Sequence, residues 1–170
     1  SANLDLVARE GSQAHGTLIG VNYGDLFPPA LNAANQTAFV ARLAGSGVDG
    51  TNDGGIWSGE GGNVDLVARK GSQAAGTPSG VNYSGFGNPV LNAAGQTAFM
   101  ASLSGVGVSS SNDTGIWSEG SGNLNLVARE GMQAPGAEGY VNDTFDVLGP
   151  TPVINAAGQT AFRAFLRGFI

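Results

Sequence analysis

One histidine, two tryptophans and a scatter of carboxylates are the side chains with which this chain could do chemistry. His15 has no repeat of itself: the matching positions further along are Ala75 and Pro135. A hydrolytic triad needs a base held beside a nucleophile and an orienting acid, and no such set recurs near His15. It therefore reads as a surface loop residue. With no cysteine and no second histidine, zinc has no ligand set either. No catalytic residue, metal or cofactor is expected, and the chain reads as non-enzymatic. The remaining route to an enzyme is a carboxylate pair formed across subunits.

Asp49, Asn52 and Asp53 lie in a glycine-rich loop with the look of a calcium loop. Calcium gathers about six or more oxygens, several of them from carboxylates. The second copy of the loop has Ser109 in place of Asp49 and keeps only Asp113. The simpler expectation is a turn that launches a strand. Trp57 and Trp117 are the ligand-binding candidates, since one indole per repeat could stack on a sugar face as in a lectin. The favoured reading is packing, because an indole filling the wedge between two sheets buries a large apolar area. Arg9, Arg69 and Arg129 recur too, followed by Glu10, Lys70 and Glu130. They could ring a channel with charge, but read first as solvated strand ends with weak local pairs.

The elements that position these residues are repeated. NLDLVARE, NVDLVARK and NLNLVARE begin at Asn3, Asn63 and Asn123, two steps of 60 residues. LNAANQTAF, LNAAGQTAF and INAAGQTAF recur with Gln36, Gln96 and Gln159 in register, steps of 60 and 63, so three residues are inserted between Val141 and Asn155. TNDGGIWSG and SNDTGIWSE occur only twice. The units are 3–62, 63–122 and an incomplete 123–170 within a single repeat domain, 1–170.

Each unit reads as a meander of four short strands, A to D. A ends at the NAAG block, as in Pro89-Val90-Leu91. B is 97–103, with counterparts at 37–43 and 160–166. C is 115–118, with a counterpart at 55–58, and its third copy is absent or remade from Gly168-Phe169-Ile170. D is 124–129, with counterparts at 4–9 and 64–69. Asn92-Ala93-Ala94-Gly95 predicts a type I turn closed by a residue of positive φ, a place that Asn35 tolerates in the first copy. Strand B is apolar or small on both faces, which predicts neighbouring sheets on either side, with coverage incomplete at Arg42 and Arg163. No segment holds a capped helical period.

Composition excludes further classes. The net charge is −6 with only seven Lys and Arg, so no cationic patch exists for nucleic acid or anionic lipid. Hydrophobic residues make up 41%, enough for a core, but no apolar run nears the roughly 18 residues of a membrane-inserted helix. No leader is visible, and Ser1-Ala2 could be the scar of its removal.

The fold class expected is all-β, with about three four-stranded antiparallel β-propeller blades per chain, circularly permuted so that the chain opens on a D strand. Three blades are too few for a ring that typically takes about four to eight, so other chains would complete it. Three chains would give nine blades and two chains six; the trimer is favoured. A threefold β-prism or trefoil-like monomer is the alternative.

Asn155, Gly158, Ala161 and Phe162 resemble the NxxGxxAF tandem repeat of bacterial, exported, surface-anchored proteins. Asn92, Gly95, Ala98 and Phe99 match it in full, whereas Asn32, Ala38 and Phe39 match with Asn35 in the glycine place. The LVAREG…APG stretch, 126–136, is similar to that family as well. The resemblance implies a secreted or cell-surface bacterial location and a repetitive β architecture, and brings no catalytic residue or cofactor. The function expected is a self-assembling scaffold or recognition module, binding itself and a glycan or another protein. The alternative is a lectin-like protein with one carbohydrate site per repeat. Specificity is expected in the long D–A loops, such as 131–143, which vary most among the copies.

Overall fold

The computed structural model describes residues 4–136 and 143–167. It is all-β, with no helix among the described residues, and its antiparallel sheets stay open rather than closing into a barrel. The first sheet holds β1 (Val21–Leu26), β2 (Ala30–Leu31), β3 (Gln36–Gly45), β4 (Gly54–Glu60) and β5 (Asn63–Arg69). Its order is β1-β3-β4-β5, with short β2 extending the pairing along β3. The second sheet repeats this arrangement with β6 (Val81–Phe86), β7 (Val90–Leu91), β8 (Thr97–Gly105), β9 (Thr114–Ser118) and β10 (Asn125–Arg129). In the third unit β11 (Thr144–Leu148) pairs with β14 (Ala164–Arg167), and β12 (Val153–Ile154) pairs with β13 (Thr160–Ala161).

The turn chemistry holds at the NAAG block. Asn92 Oδ1 accepts the backbone N–H groups of Ala94 and Gln96 at 3.0 Å each, closing the turn from its first residue. Gly95 and Gly158 sit at φ +82° and +77°, and Asn35 takes the same conformation at φ 61°. At Gly158 a second demand applies, because a Cβ there would strike the backbone of Gly120, in the turn after β9 of the preceding repeat. Asn35 is exposed, so a side chain fits.

The sheets lie face against face in chain order. Ile56 and Ala68 of the first sheet share a core with Tyr83, Phe99, Ala101 and Trp117 of the second. Ile116 and Ala128 on the far side of the second sheet pack with Leu148, and with the partly buried Phe145 and Phe162, of the third unit. Strand alternation accounts for this: in β4, Trp57 points to one face and Ile56 to the other, and both are fully buried. The two-faced burial expected for strand B is present at Thr37, Ala38 and Phe39, and breaks at exposed Arg42.

Three expectations are corrected. The outermost strand of each complete sheet is not the stretch before NAAG, which supplies only the two-residue β2 and β7; it is the Val-Asn-Tyr segment, assigned above to a D–A loop. That segment pairs far along the chain, Tyr23 with Leu43 and Tyr83 with Leu103, and so is invisible to a local reading. Residues 4–9, expected as a D strand, form none, although Val7 and Ala8 pack on the first sheet beside Tyr23, Phe39 and Trp57. A D strand is held by its C strand, and among the described residues none lies beside 4–9. The B strand at 160–166 is broken at Phe162 and Arg163. Gly168-Phe169-Ile170, Asn3, Ser1-Ala2 and residues 137–142 of the 131–143 loop lie outside the described residues.

Candidate binding surface

The tryptophans must be placed before any ligand can be assigned to them. Trp57 and Trp117 are fully buried. Trp117 packs edge-on to Tyr83, with centroids 5.1 Å apart, and stacks on Phe99 at 6.4 Å; Trp57 repeats this with Tyr23 and Phe39. The glycine two residues earlier makes room: a Cβ on Gly115 would lie 2.7 Å from the Trp117 ring, and one on Gly55 would lie 2.8 Å from the Trp57 ring. The sugar-stacking role considered for Trp57 and Trp117 is corrected, since neither indole has a face open to a ligand.

What the indoles recognise is a loop of their own repeat. Trp57 Nε1 donates to the His15 carbonyl at 2.9 Å, and Trp117 Nε1 to the Ala75 carbonyl at 2.8 Å. The tyrosine hydroxyls accept from the N–H of the same two residues, at 3.3 Å and 3.1 Å. A buried hydroxyl or indole N–H demands such a partner. Burial raises the phenol pKa of Tyr23 and pushes that of Tyr83 up to about 12, keeping both neutral. His15 takes part only through its backbone.

A second network links the repeats. Asn32 Nδ2 donates to Gln36 Oε1 in its own turn and to the Asn92 carbonyl in the next sheet, each at 2.8 Å. Asn92 Nδ2 does the same to Gln96 Oε1 and, at 2.9 Å, to the Asn155 carbonyl. The motif residues thus divide the labour. Asn32, Asn92 and Asn155 close the turns, and the first two also reach into the next repeat. Gly95, Gly158 and Asn35 supply the positive φ. Phe39, Phe99 and Phe162 point into the core clusters.

The charged loops are structural too. Asp49 accepts from the Thr51 N–H and hydroxyl, which holds its carboxyl below the usual range. Asp53 pairs with Lys70 at 2.8 Å, and the ammonium lowers its pKa. Arg69 and Arg129 each donate through Nε to a carbonyl, that of Asn52 and of Asn112. No group of three or more His, Cys, Asp or Glu able to hold a metal occurs among the described residues. Glu130, the counterpart of Lys70, is 7% exposed and has its pKa raised, first by burial and then by Asp113 beside it.

Exposed apolar surface collects at the two ends of the stack. At the first, Val7, Ala8, Leu26, Phe27, Pro29, Thr37 and Phe39 line a cleft of about 210 Å³. At the last, Leu166 is 48% exposed and Phe165 56%, whereas Leu43 and Leu103, the counterparts of Leu166, are each 5% exposed. Neither end was singled out from sequence. The signal was there in the third copy, where Pro135 stands for Ala75 and Phe145 for Tyr83. Proline has no N–H to give and phenylalanine no hydroxyl to receive it, so both halves of one hydrogen bond change together.

No curated protein and no solved structure matches this chain. A family does match along the whole of it, residues 1–170, and the chain belongs to that family of unknown function, DUF7453.

Proposed function

We propose that the chain is a non-enzymatic scaffold and recognition module whose sheets are β-propeller blades, assembled with further copies of itself. The observation that carries this reading is the fate of the recurrent polar and aromatic groups. Trp57, Trp117, Asn32, Asn92, Arg69 and Arg129 are all committed to holding one loop or one sheet against the next. The blade assignment is supported by the four-strand meander and by packing in chain order, with no core cluster joining the first sheet to the third unit among the described residues.

Assembly is supported by the apolar ends. Residues 4–9 carry the sequence of β5 and β10 and lie over the first sheet, as a fourth strand of a preceding blade would. Leu4 and Leu6 remain 95% and 70% exposed there. The apolar faces at the two ends of the described stack suit a head-to-tail arrangement of copies, which can close by rotation. A trimer is favoured over a dimer, with location at the bacterial surface or outside the cell following from the repeat resemblance. Sedimentation equilibrium tests this: the expected result is a discrete assembly at three times the chain mass, and a compact monomer at micromolar concentration overturns assembly.

A further inference from the structure

The Glu130 carboxyl stands where the first repeat has an ammonium. The main chain is alike at both places: the Lys70 N–H donates to the Gly54 carbonyl at 2.8 Å, and the Glu130 N–H to the Thr114 carbonyl at 3.0 Å. Across the sheet, the Leu43 and Leu103 N–H groups donate to the Asp53 and Asp113 carbonyls at 2.8 Å and 2.7 Å. On the first of these frames Lys70 Nζ meets Asp53 Oδ1 at 2.8 Å. On the second, Glu130 presents one carboxyl to another, and Asp113 faces it within hydrogen-bonding reach. Two carboxyls bond to each other only while one of them keeps its proton.

The pair lies at a junction. Glu130 is where the chain leaves the second sheet for the third unit, and the Leu148 N–H of that unit donates to its carboxyl. The Gly131 N–H donates to the Phe145 carbonyl at 2.9 Å, and the Phe145 N–H to the Met132 carbonyl at 3.0 Å. Glu130 is buried there, whereas Lys70 is only partly so. Among the described residues no cation answers the pair. Arg129 turns to Asn112, with Nε on the carbonyl and Nη2 on Oδ1. On the third unit Arg167 pairs with Asp146, and Arg163 lies over the Phe165 ring. Glu119 and Asp143 stand at the far ends of β9 and β11. Of all these charged groups, Asp113 alone acts on Glu130.

We infer that Glu130 and Asp113 form a proton-held latch between the second sheet and the third unit, closed while the two carboxyls share a proton and loosened by its loss. Burial does most to keep the proton on Glu130 and Asp113 adds to it, against Leu148 and Thr114. Opening the junction returns the carboxyl to water and so removes the larger cause. The open junction therefore titrates near the ordinary 4.5 and the closed one above it. The latch is fully closed below the ordinary value and weakens as pH rises through the raised one; above that, opening is favoured by a constant factor. What opens is apolar, because Leu148 leaves Ile116 and Ala128. The Lys70–Asp53 pair has the opposite sense: its ammonium lowers the Asp53 pKa, so acid weakens it. The latch acts within one chain and needs neither a ring nor a second copy.

Native-state hydrogen exchange of the full chain from acid to neutral pH tests this, with the intrinsic rate at each pH divided out. Protection of the Gly131, Phe145 and Leu148 amides is expected to fall about five-fold or more on neutralisation, the low end for two coupled equilibria. The Phe39 and Ile56 amides of the first sheet should not follow. Glu130→Gln, which is neutral throughout, should keep the acid-form protection at every pH. Asp113→Asn should shrink the fall without abolishing it, because burial remains. A carboxyl titration of Glu130 in the parent chain, followed by carbon NMR, needs no variant and should lie above the ordinary glutamate value. Protection that is flat with pH overturns the latch, as does a fall that persists in Glu130→Gln or is shared equally by the first sheet. A Glu130 that titrates at its ordinary value overturns it as well.

Discussion

Phe99 and Phe162 stand at the same place in the same motif, yet the first is sealed and the second only partly buried. The difference does not lie in their own strands, since Gln-Thr-Ala-Phe precedes and includes both. Phe99 has an indole across the strand and a preceding sheet bearing Ile56 and Ala68 against it. Phe162 has the preceding sheet but no tryptophan across its strand among the described residues. The repeat is therefore not a self-sufficient unit. Each copy of NxxGxxAF fills its place to the extent that its neighbours in sheet and stack are supplied.

The sharpest way to break this comparison is to make the second sheet resemble the third. Trp117→Ala removes the cross-strand ring, the packing on Tyr83 and the N–H donor to the Ala75 carbonyl. A fully buried tryptophan leaves a cavity that its neighbours cannot close, and the expected loss is about 4 kcal/mol of unfolding free energy in urea denaturation. Phe162→Ala, in a site already half open, should lose less than half as much. Equal losses would mean that the third unit is sealed in solution.

The asparagine ladder gives a smaller version of the same contrast. Asn92 is 4% exposed and makes four hydrogen bonds, one of them to the next repeat. Asn155 is exposed and keeps only the three within its own turn. Asn92→Ala leaves the Asn155 carbonyl and two part-buried turn N–H groups without their partner, at a cost of about 2 kcal/mol, whereas Asn155→Ala should cost about 1 kcal/mol because water replaces what is lost. Thermal denaturation of the two variants should rank them in that order.

Which parts were legible in the sequence follows from how local their causes are. The NAAG turn was readable because its cause is contained in four residues: an asparagine that bonds forward and a position that needs positive φ. The two-sided burial of strand B was readable from Ala38 and Ala98 alternating with phenylalanine. The Val-Asn-Tyr strand was missed because what makes it a strand is the partner some 20 residues later, as Tyr23 pairs with Leu43. Residues 4–9 were misread for the mirror-image reason: they have a strand's sequence without a strand's neighbour. The indole acceptor at residues 15 and 75 was also hidden, because a backbone carbonyl leaves no mark on residue type. Only the joint change at Pro135 and Phe145 betrays it.

The first two sheets, so alike in packing, differ in one buried charge, and this gives the smallest effect. Lys70 meets Asp53 as an ion pair in the first; in the second, Glu130 faces Asp113. Burial and that neighbouring carboxylate raise the Glu130 pKa above the ordinary 4.5, against a Leu148 backbone bond and Thr114, which lower it. An acid whose folded pKa is raised holds its proton in the folded state where the unfolded chain has released it. Stability therefore falls as pH rises from the unfolded pKa through the folded one, and the penalty is complete above the latter. Glu130→Gln should stabilise at neutral pH, with the gain fading as pH falls through the raised folded pKa and gone below the ordinary 4.5. Glu130→Lys should go further and rebuild the pair of the first sheet, adding about 1 kcal/mol at neutral pH through one charge-assisted hydrogen bond to Asp113. Urea denaturation across pH 3 to 8 reads both variants against the parent. A Gln variant that gains nothing at neutral pH would show that Glu130 carries its charge in the second sheet at no cost.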